Sequence, residues 1–175
     1  MDTIGEPEGG EYAPHFERYV SLVRGVNILV TLEAQTADVL RTLGNVPEAC
    51  AGSRYAPGKW SVREVVGHCT DSERVFAYRA LAIARGEQAP LPAFDENSYA
   101  RLAGHDAVAL ARLLAEFETV RKASLHLLRN LPPEAWVRGG TASWKPITVR
   151  ALAFVMAGHV AHHMAILRER YGLPA

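Results

Sequence analysis

The sequence predicts an all-α fold, a four-helix bundle of the up-and-down type with two long loops. Four long segments repeat apolar residues with the period of an α-helix, Ser/Thr/Asp caps and Gly/Pro stops bound most of them, and no segment alternates well enough to be a strand. A chain of 175 residues, 49% of them hydrophobic, can build one core of this kind. We assign residues 1–13, which are acidic and Gly-rich, to a flexible leader and residues 14–175 to the bundle domain.

The first two helices are predicted from their apolar faces and from their ends. The first runs from about Pro14 to Leu43, with Val20, Ile28 and Leu32 on its apolar face. The second runs from Ser61 to about Arg85. Its start has the spacing of a capping box, with Glu64 three residues after the serine, and Gly86 is a stop signal.

A loop rich in proline and polar residues, Gln88 to Gly104, separates the second helix from the third. The third helix is predicted from Asp106, a good N-cap, to Leu131, where two prolines follow. Within the first loop, we expect residues 90–99 to lie beside the functional site, because this stretch is too long for a minimal turn.

A second loop, which carries Trp144, leads to the fourth helix. This helix is predicted to begin after Thr148 as cap and to end at Tyr171, with Gly172 and Pro174 as stop signals.

Composition excludes several classes of function. The 19 Lys and Arg balance the 19 Asp and Glu, and no basic run follows a phosphate backbone, so we expect no nucleic acid partner. The longest apolar run, residues 151–158, is too short to cross a bilayer, so we expect no membrane partner. The two cysteines, Cys50 and Cys69, do not form a disulfide framework and fit a cytoplasmic location.

Three histidines form a candidate metal site. His159 and His163 are four residues apart in a helical segment, so their rings lie ~40° apart on one face and can share one ion. His68 follows a glycine in the second helix, as His159 does in the fourth, and would complete a set of three. Three neutral imidazoles leave a coordination position open, which is typical of catalytic sites for zinc and similar metals. A core histidine bonded to a carbonyl is the alternative for His68 alone.

The neighbours of these histidines are open to more than one interpretation. Asp71 lies three residues after His68, on nearly the same face, and is a candidate general base, ligand orienter or fourth ligand; a solvated carboxylate is equally consistent. His162 should point ~100° away from His163, and Glu73 and Arg74 are read as an ordinary charged face. Glycines directly before two candidate ligands indicate close approach of another helix or of a ligand.

The chain resembles the DinB/YfiT-like superfamily of four-helix-bundle proteins, metal-dependent hydrolases and thiol transferases among them. The matching residues are those at 57–68 with Asp71 and Glu73 behind them, the loop at 90–96, and those at 158–171. The resemblance implies that His68, His159 and His163 hold a divalent metal, nickel or zinc, and that the protein is a homodimer.

By the same resemblance, the expected function is S-transfer of a low-molecular-weight thiol such as bacillithiol, mycothiol or glutathione to an electrophilic substrate. The metal would bind the thiol and lower its pKa, with Asp71 as the candidate base. Two alternatives stay open at this point. One is a hydrolase in which water is the nucleophile, and the other is a non-catalytic metal-binding protein associated with stress.

Overall fold

A computed structural model describes residues 4–173, and over that range the chain is mainly helical. Four long helices form the predicted bundle, so the all-α prediction is confirmed. The elements in chain order are α1 (Glu17–Val20), α2 (Ile28–Gly44), α3 (Val62–Ala84), α4 (Glu96–Ala103), α5 (Leu110–Arg129), β1 (Gly139–Ala142), β2 (Lys145–Thr148) and α6 (Val149–Tyr171).

The order of the helices in the bundle differs from the order in the chain. Helix α3 packs against α5 and α6, and α2 packs against the same two helices, so α2 and α3 lie diagonally across the bundle although one follows the other in the chain. The carboxylate of Glu48 accepts hydrogen bonds from the Arg63 guanidinium, at the start of α3, and from the backbone N–H of Leu110, at the start of α5. Helices α3 and α5 therefore begin at the same end of the bundle and run parallel.

The other two long helices end where α3 and α5 begin. The hydroxyl of Tyr171, the last residue of α6, donates to the carbonyl of Trp60 at 2.5 Å. Leu43, near the end of α2, lines one groove together with Leu110. The helix directions are thus up, down, down, up, which corrects the predicted up-and-down alternation. The physical reason is the connection at 85–109, which is long enough to return the chain to the end of the bundle where α3 began.

The first predicted helix is interrupted. Short 3-10 turns flank α1, and Gly25 has φ of +73°, a conformation that ends a helix and that glycine adopts at low cost. Its N–H donates to the carboxylate of Glu6. A new helix then begins, with the side chain of Asn27 accepting from Val30 N at 3.3 Å. Apolar spacing alone did not reveal the break, because the buried face continues on both sides of it.

The predicted ends of α3 and α6 are confirmed. Ser61 and Glu64 form both hydrogen bonds of the capping box at the start of α3. The side chain of Thr148 accepts from Ala151 N at the start of α6, and Gly172 closes that helix with φ of +68°. Pro174, the other predicted stop signal, lies outside the described residues.

The predicted start of the third helix is wrong. Helix α5 begins at Leu110, whereas Asp106 lies in a 3-10 turn at 105–107. Its carboxylate accepts hydrogen bonds from the Ser61 hydroxyl and the Arg54 guanidinium, so it joins two segments distant in sequence instead of capping α5. The helix ends at Arg129, two residues earlier than predicted.

Both predicted loops contain regular structure. The first includes α4, whose N-cap is Asp95. The second folds as an antiparallel hairpin of β1 and β2, which corrects the prediction that no segment is a strand. Its turn is formed by Ser143 and Trp144 with φ of +51° and +63°, and tight two-residue turns of this kind suit the twist of a hairpin.

A buried polar network crosses the bundle and links all four long helices. Arg121 on α5 is fully buried and donates two hydrogen bonds of 2.9 Å to the carboxylate of Glu73 on α3. It also donates to the carbonyl of Leu32 and to the side chain of Gln35 on α2. The amide of Gln35 in turn donates to Ala157 O on α6 at 2.8 Å. Glu73 is therefore a core residue, not the exposed charged residue that the sequence indicated.

Part of the predicted leader is packed onto the bundle. Glu11 accepts hydrogen bonds from Arg150 and from the Thr148 hydroxyl at the start of α6. Tyr12 and Ala13 are buried. The packed structure thus extends to the N-terminal side of Pro14.

By length and composition, α6 is apolar enough to cross a membrane, with a mean hydropathy of 1.2 over its most apolar window. In the structure, 72% of that window is buried inside the protein. This burial is what the core helix of a bundle requires, so the apolar composition of α6 is explained by its packing.

Candidate metal centre

The structure brings together the three histidines that the sequence selects. Nε2 of His159 lies 2.9 Å from Nε2 of His68 and 3.2 Å from Nε2 of His163. One ligand atom from each ring lies within 4.8 Å of the other two. Helix α3 supplies one ring, and successive turns of α6 supply the other two, as the four-residue spacing predicts.

The three rings are buried and electrically neutral near pH 7. They are 6%, 4% and 9% exposed for His68, His159 and His163. Burial, with a contribution from His105, lowers the pKa of His68 to about 4. Burial and His68 together lower the pKa of His163 to about 3. Burial also lowers the pKa of His159 well below its usual range, and its two neighbouring rings add to the effect. Neutral imidazole nitrogen is the form that binds a metal.

The glycines before His68 and His159 have a steric role. A Cβ at Gly158 would overlap the backbone carbonyl of Tyr19, and a Cβ at Gly67 would overlap the ring of His105. The close approach of other elements that the sequence indicated is therefore present at both positions. Each glycine directly precedes a histidine of the cluster, so the helices that carry these rings pack closely against neighbouring elements at this point.

An open cavity of about 310 Å³ leads to the cluster. Its size suits a small molecule. All three histidines line it, and the rest of its wall combines aromatic, cationic and hydroxyl side chains, with one carboxylate: His15, Phe16, Arg18, Tyr19, Trp60, Ser72, Phe76, Arg79, Phe94, Glu96, Ser143 and His162. The loop at 90–99, which was expected beside the site, contributes Phe94 and Glu96.

Aromatic rings border the cluster on two sides. The indole of Trp60 lies 4.6 Å from the ring of His68 between centroids, and the ring of Tyr19 lies edge-on to His159 at 5.3 Å. Tyr19 also meets His162 at 5.4 Å. Tyr19 could not be selected from the sequence as a site residue, because it belongs to a segment far from the histidine motifs, whereas Trp60 lies in the motif at 57–68.

Asp71 lies outside the cavity wall. One carboxylate oxygen is 3.4 Å from Arg74 Nη1, and the other is 4.0 Å from Nε2 of His105. In the described part of the chain, Asp71 does not belong to the group of ligand atoms that converge. Its position therefore gives no support for a direct ligand, and its predicted role as a general base stays a prediction.

His162 and Cys69 lie directly beside histidines of the cluster in the sequence. His162 lines the cavity, half-buried, but its ring is not part of the converging set. Cys69, beside His68 in sequence, is buried, and burial raises the pKa of its thiol to about 12. It is a small core residue.

Comparison with solved structures supports the same fold. YfiT from Bacillus subtilis, described as a probable metal-dependent hydrolase with an unusual four-helix bundle topology, matches with a TM-score of 0.75 and 23% identity, over 84% of this chain and 87% of that one. A mycothiol-dependent maleylpyruvate isomerase matches with a TM-score of 0.67 and 16% identity, over 83% of this chain and 61% of that one. At these identities the likeness concerns the fold.

The comparisons by sequence concern the family. No curated protein matches the chain. The family model of the DinB superfamily matches residues 31–167, which include all three histidines and the four long helices except the ends of α2 and α6. The chain belongs to the DinB superfamily.

Proposed function

We propose that this protein is a metal-dependent enzyme that binds a low-molecular-weight thiol at the three-histidine centre and joins this thiol, through its sulfur, to an electrophilic substrate whose leaving group is displaced. The observation that carries the proposal is the convergence of three buried, neutral imidazole nitrogens at the end of a cavity of small-molecule size. The descriptions of two structural neighbours support its two parts. YfiT is described as a probable metal-dependent hydrolase, which supports the metal, and the maleylpyruvate isomerase is described as mycothiol-dependent, which supports the thiol.

The donor set fits a divalent metal. Three imidazole nitrogens from rigid helices suit zinc or nickel, and they leave a position free for a further ligand. When bound there, such an ion supplies positive charge that lowers the pKa of a thiol at the free position. Because His68, His159 and His163 are neutral, they do not compensate this charge, and an anionic thiolate is favoured.

The surrounding side chains combine aromatic rings with a cation that favours a negative charge. Trp60 and Phe76 form the cavity wall next to the cluster, and Tyr19 contributes to this wall from α1. Arg18, at the rim, lies close enough to contribute to the lowered pKa values of His159 and His163. The positive field of this arginine acts in the same direction as the ion, because it stabilises an anion at the centre.

The test is thiol-dependent turnover by metal-loaded protein. Thiols of different classes are incubated with monobromobimane or a chlorinated nitrobenzene, and product formation is compared in wild type, His68→Ala and His162→Ala. The proposal predicts turnover that needs both metal and thiol, is lost in His68→Ala and persists in His162→Ala. Metal-loaded protein that is inactive with every thiol but hydrolyses an ester or amide would instead establish the hydrolase.

The same measurement addresses the non-catalytic alternative. A metal-loaded protein that neither transfers a thiol nor hydrolyses an ester or amide would be a binding protein. The cavity argues for the enzyme, because an ion stored for structural reasons needs no opening of about 310 Å³ beside it. The homodimer and the cytoplasmic location stay predictions, and sedimentation at several protein concentrations tests the former.

A further inference from the structure

One face of α3 presents a row of side chains to the cavity. His68, Ser72, Phe76 and Arg79 all line its wall. Their offsets of four, four and three residues place them along one side of the helix. The cavity therefore offers, in order along one line, the metal-binding ring, a hydroxyl, an aromatic ring and a guanidinium.

The guanidinium at the far end of this row is a buried cation without an acidic partner. Arg79 is 3% exposed. Its Nη2 donates to Pro92 O at 2.8 Å and to Ser143 Oγ at 3.0 Å, and within residues 4–173 no carboxylate lies within ion-pair distance of it. Arginine keeps its charge in proteins, and an unpaired buried charge is costly. An anion that enters the cavity would remove this cost.

The contrast with the other buried arginine is informative. Arg121 is equally inaccessible, but Glu73 accepts two of its hydrogen bonds and backbone and amide oxygens accept the rest. That guanidinium lies in the core and does not line the cavity that leads to the three histidines. The buried arginine in the core, Arg121, is thus paired with a carboxylate, whereas the buried arginine that lines the cavity, Arg79, is not.

A second polar group in the row also has no partner. Ser72 is 1% exposed, and its hydroxyl makes no hydrogen bond in the described part of the chain. Buried hydroxyls are normally satisfied, and exceptions need an explanation. Ser72 lies between His68 and Arg79, so a ligand that extends along the row would pass its hydroxyl.

The row also sets the length of such a ligand. Eleven residues separate His68 from Arg79, which corresponds to roughly 16 Å along the helix axis. Side chains lean toward the N-terminus of their helix, and the longer arginine reaches further back than histidine. The gap between the metal position and the guanidinium is therefore on the order of 10 Å, the extended length of about three residues.

We propose that the cavity binds a ligand whose carboxylate pairs with Arg79 while its opposite end reaches the three-histidine centre. This inference rests on the proposed function, in which a thiol occupies that centre. The carboxylate belongs either to the thiol or to its electrophilic partner, and the arms of the experiment separate these sources.

The first arm measures the distance with a matched series of thiols. Protein loaded with cobalt or nickel is titrated with ω-mercaptocarboxylates of increasing chain length and with the ω-mercaptoalcohols of equal length, and the thiolate-to-metal charge-transfer band reports binding. We expect 8-mercaptooctanoate to bind about tenfold more tightly than 8-mercaptooctanol, as a charge-assisted hydrogen-bonded pair provides. The advantage of the acid should be smaller for 3-mercaptopropionate, which is too short to reach Arg79.

The second arm removes the cation. In Arg79→Gln the acid should bind no more tightly than the alcohol of equal length, and in Arg79→Lys part of the difference in affinity should remain. In the exposed-site control Arg112→Gln the difference in affinity should be unchanged. Ser143→Ala removes one contact of the guanidinium without changing its charge, so it should keep the advantage even if the hairpin loosens. In Arg18→Gln, at the rim, any loss should be small and should disappear at high salt.

The third arm uses octanoate, which has no thiol, and follows its binding by calorimetry. Binding that depends on Arg79 in this arm, without an acid advantage among the thiols, would assign the carboxylate to the electrophile. Equal affinity of acids and alcohols at every length, together with octanoate binding that is absent or unaffected by Arg79→Gln, would overturn the inference. Absence of the charge-transfer band with every thiol would contradict the proposed function instead, and Arg79-dependent octanoate binding would then still support the anion site.

Discussion

Replacing Arg121 by methionine is expected to destabilise the protein strongly without touching the metal centre. The change leaves the carboxylate of Glu73 buried without a partner and removes the donors to Leu32 O and Gln35. Breaking a buried ion pair from one side typically costs about 3–5 kcal/mol, because the remaining charge stays desolvated. That is a large part of the roughly 5–15 kcal/mol by which a domain is stable.

Urea denaturation of the metal-free protein measures this loss. With a slope of about 2 kcal/mol/M, a loss of this size moves the midpoint down by roughly 2 M. The double variant Arg121→Met/Glu73→Leu removes both charges, so its loss should be smaller than that of Arg121→Met alone. A single variant that loses under about 1 kcal/mol, or a double variant less stable than the single, would refute the account of this network.

Three further predictions concern residues around the centre. Gly158→Ala should destabilise by about 1–3 kcal/mol, because its Cβ would overlap a backbone carbonyl of α1, whereas Gly44→Ala, with open space around it, should be neutral or slightly stabilising in the same urea assay. A thiol reagent at pH 8 should label the exposed Cys50 in the native protein but label Cys69 only after unfolding, and native labelling of both would contradict the burial and raised pKa of the second thiol. Asp71→Asn should leave metal content unchanged, because its carboxylate contacts Arg74 and His105 instead of the cluster; metal loss in elemental analysis would make Asp71 a ligand or an orienting residue.

Local sequence signals predicted the parts of the fold that depend on local chemistry. The capping box at Ser61 and Glu64 and the cap at Thr148 place the starts of α3 and α6, and both are observed. The pair His159 and His163 follows from helix geometry alone, since both lie on one helix.

The features that the sequence did not reveal depend on contacts between distant segments. Asp106 lies where the sequence pattern predicts a helix cap. Its carboxylate instead accepts a hydrogen bond from the Ser61 hydroxyl, 45 residues away in the chain. The burial of Glu73 could not be read from its own helix, because its partner Arg121 lies on another one. The parallel arrangement of α3 and α5 likewise depends on how the connection between them packs, which periodicity does not report.

The place of Arg79 in the cavity is a similar case. In sequence it is one of many arginines on amphipathic helices, and no motif marks it. Only the fold shows that it faces the same cavity as His68 and that no carboxylate in the described structure pairs with it. An unpaired buried charge of this kind indicates a candidate binding site, but it can be recognised only from the three-dimensional structure, because both burial and pairing depend on the fold.

Elemental analysis of purified protein, depleted of metal and then reloaded with zinc or nickel, shows whether the three histidines hold a metal. We expect one tightly held divalent ion per chain in the wild type. We also expect His68→Ala, His159→Ala and His163→Ala each to lose most of this ion while circular dichroism still reports a helical fold, and His162→Ala to retain it. A wild-type protein that takes up no metal, or a His68→Ala variant that holds it as firmly as the wild type, would contradict the account.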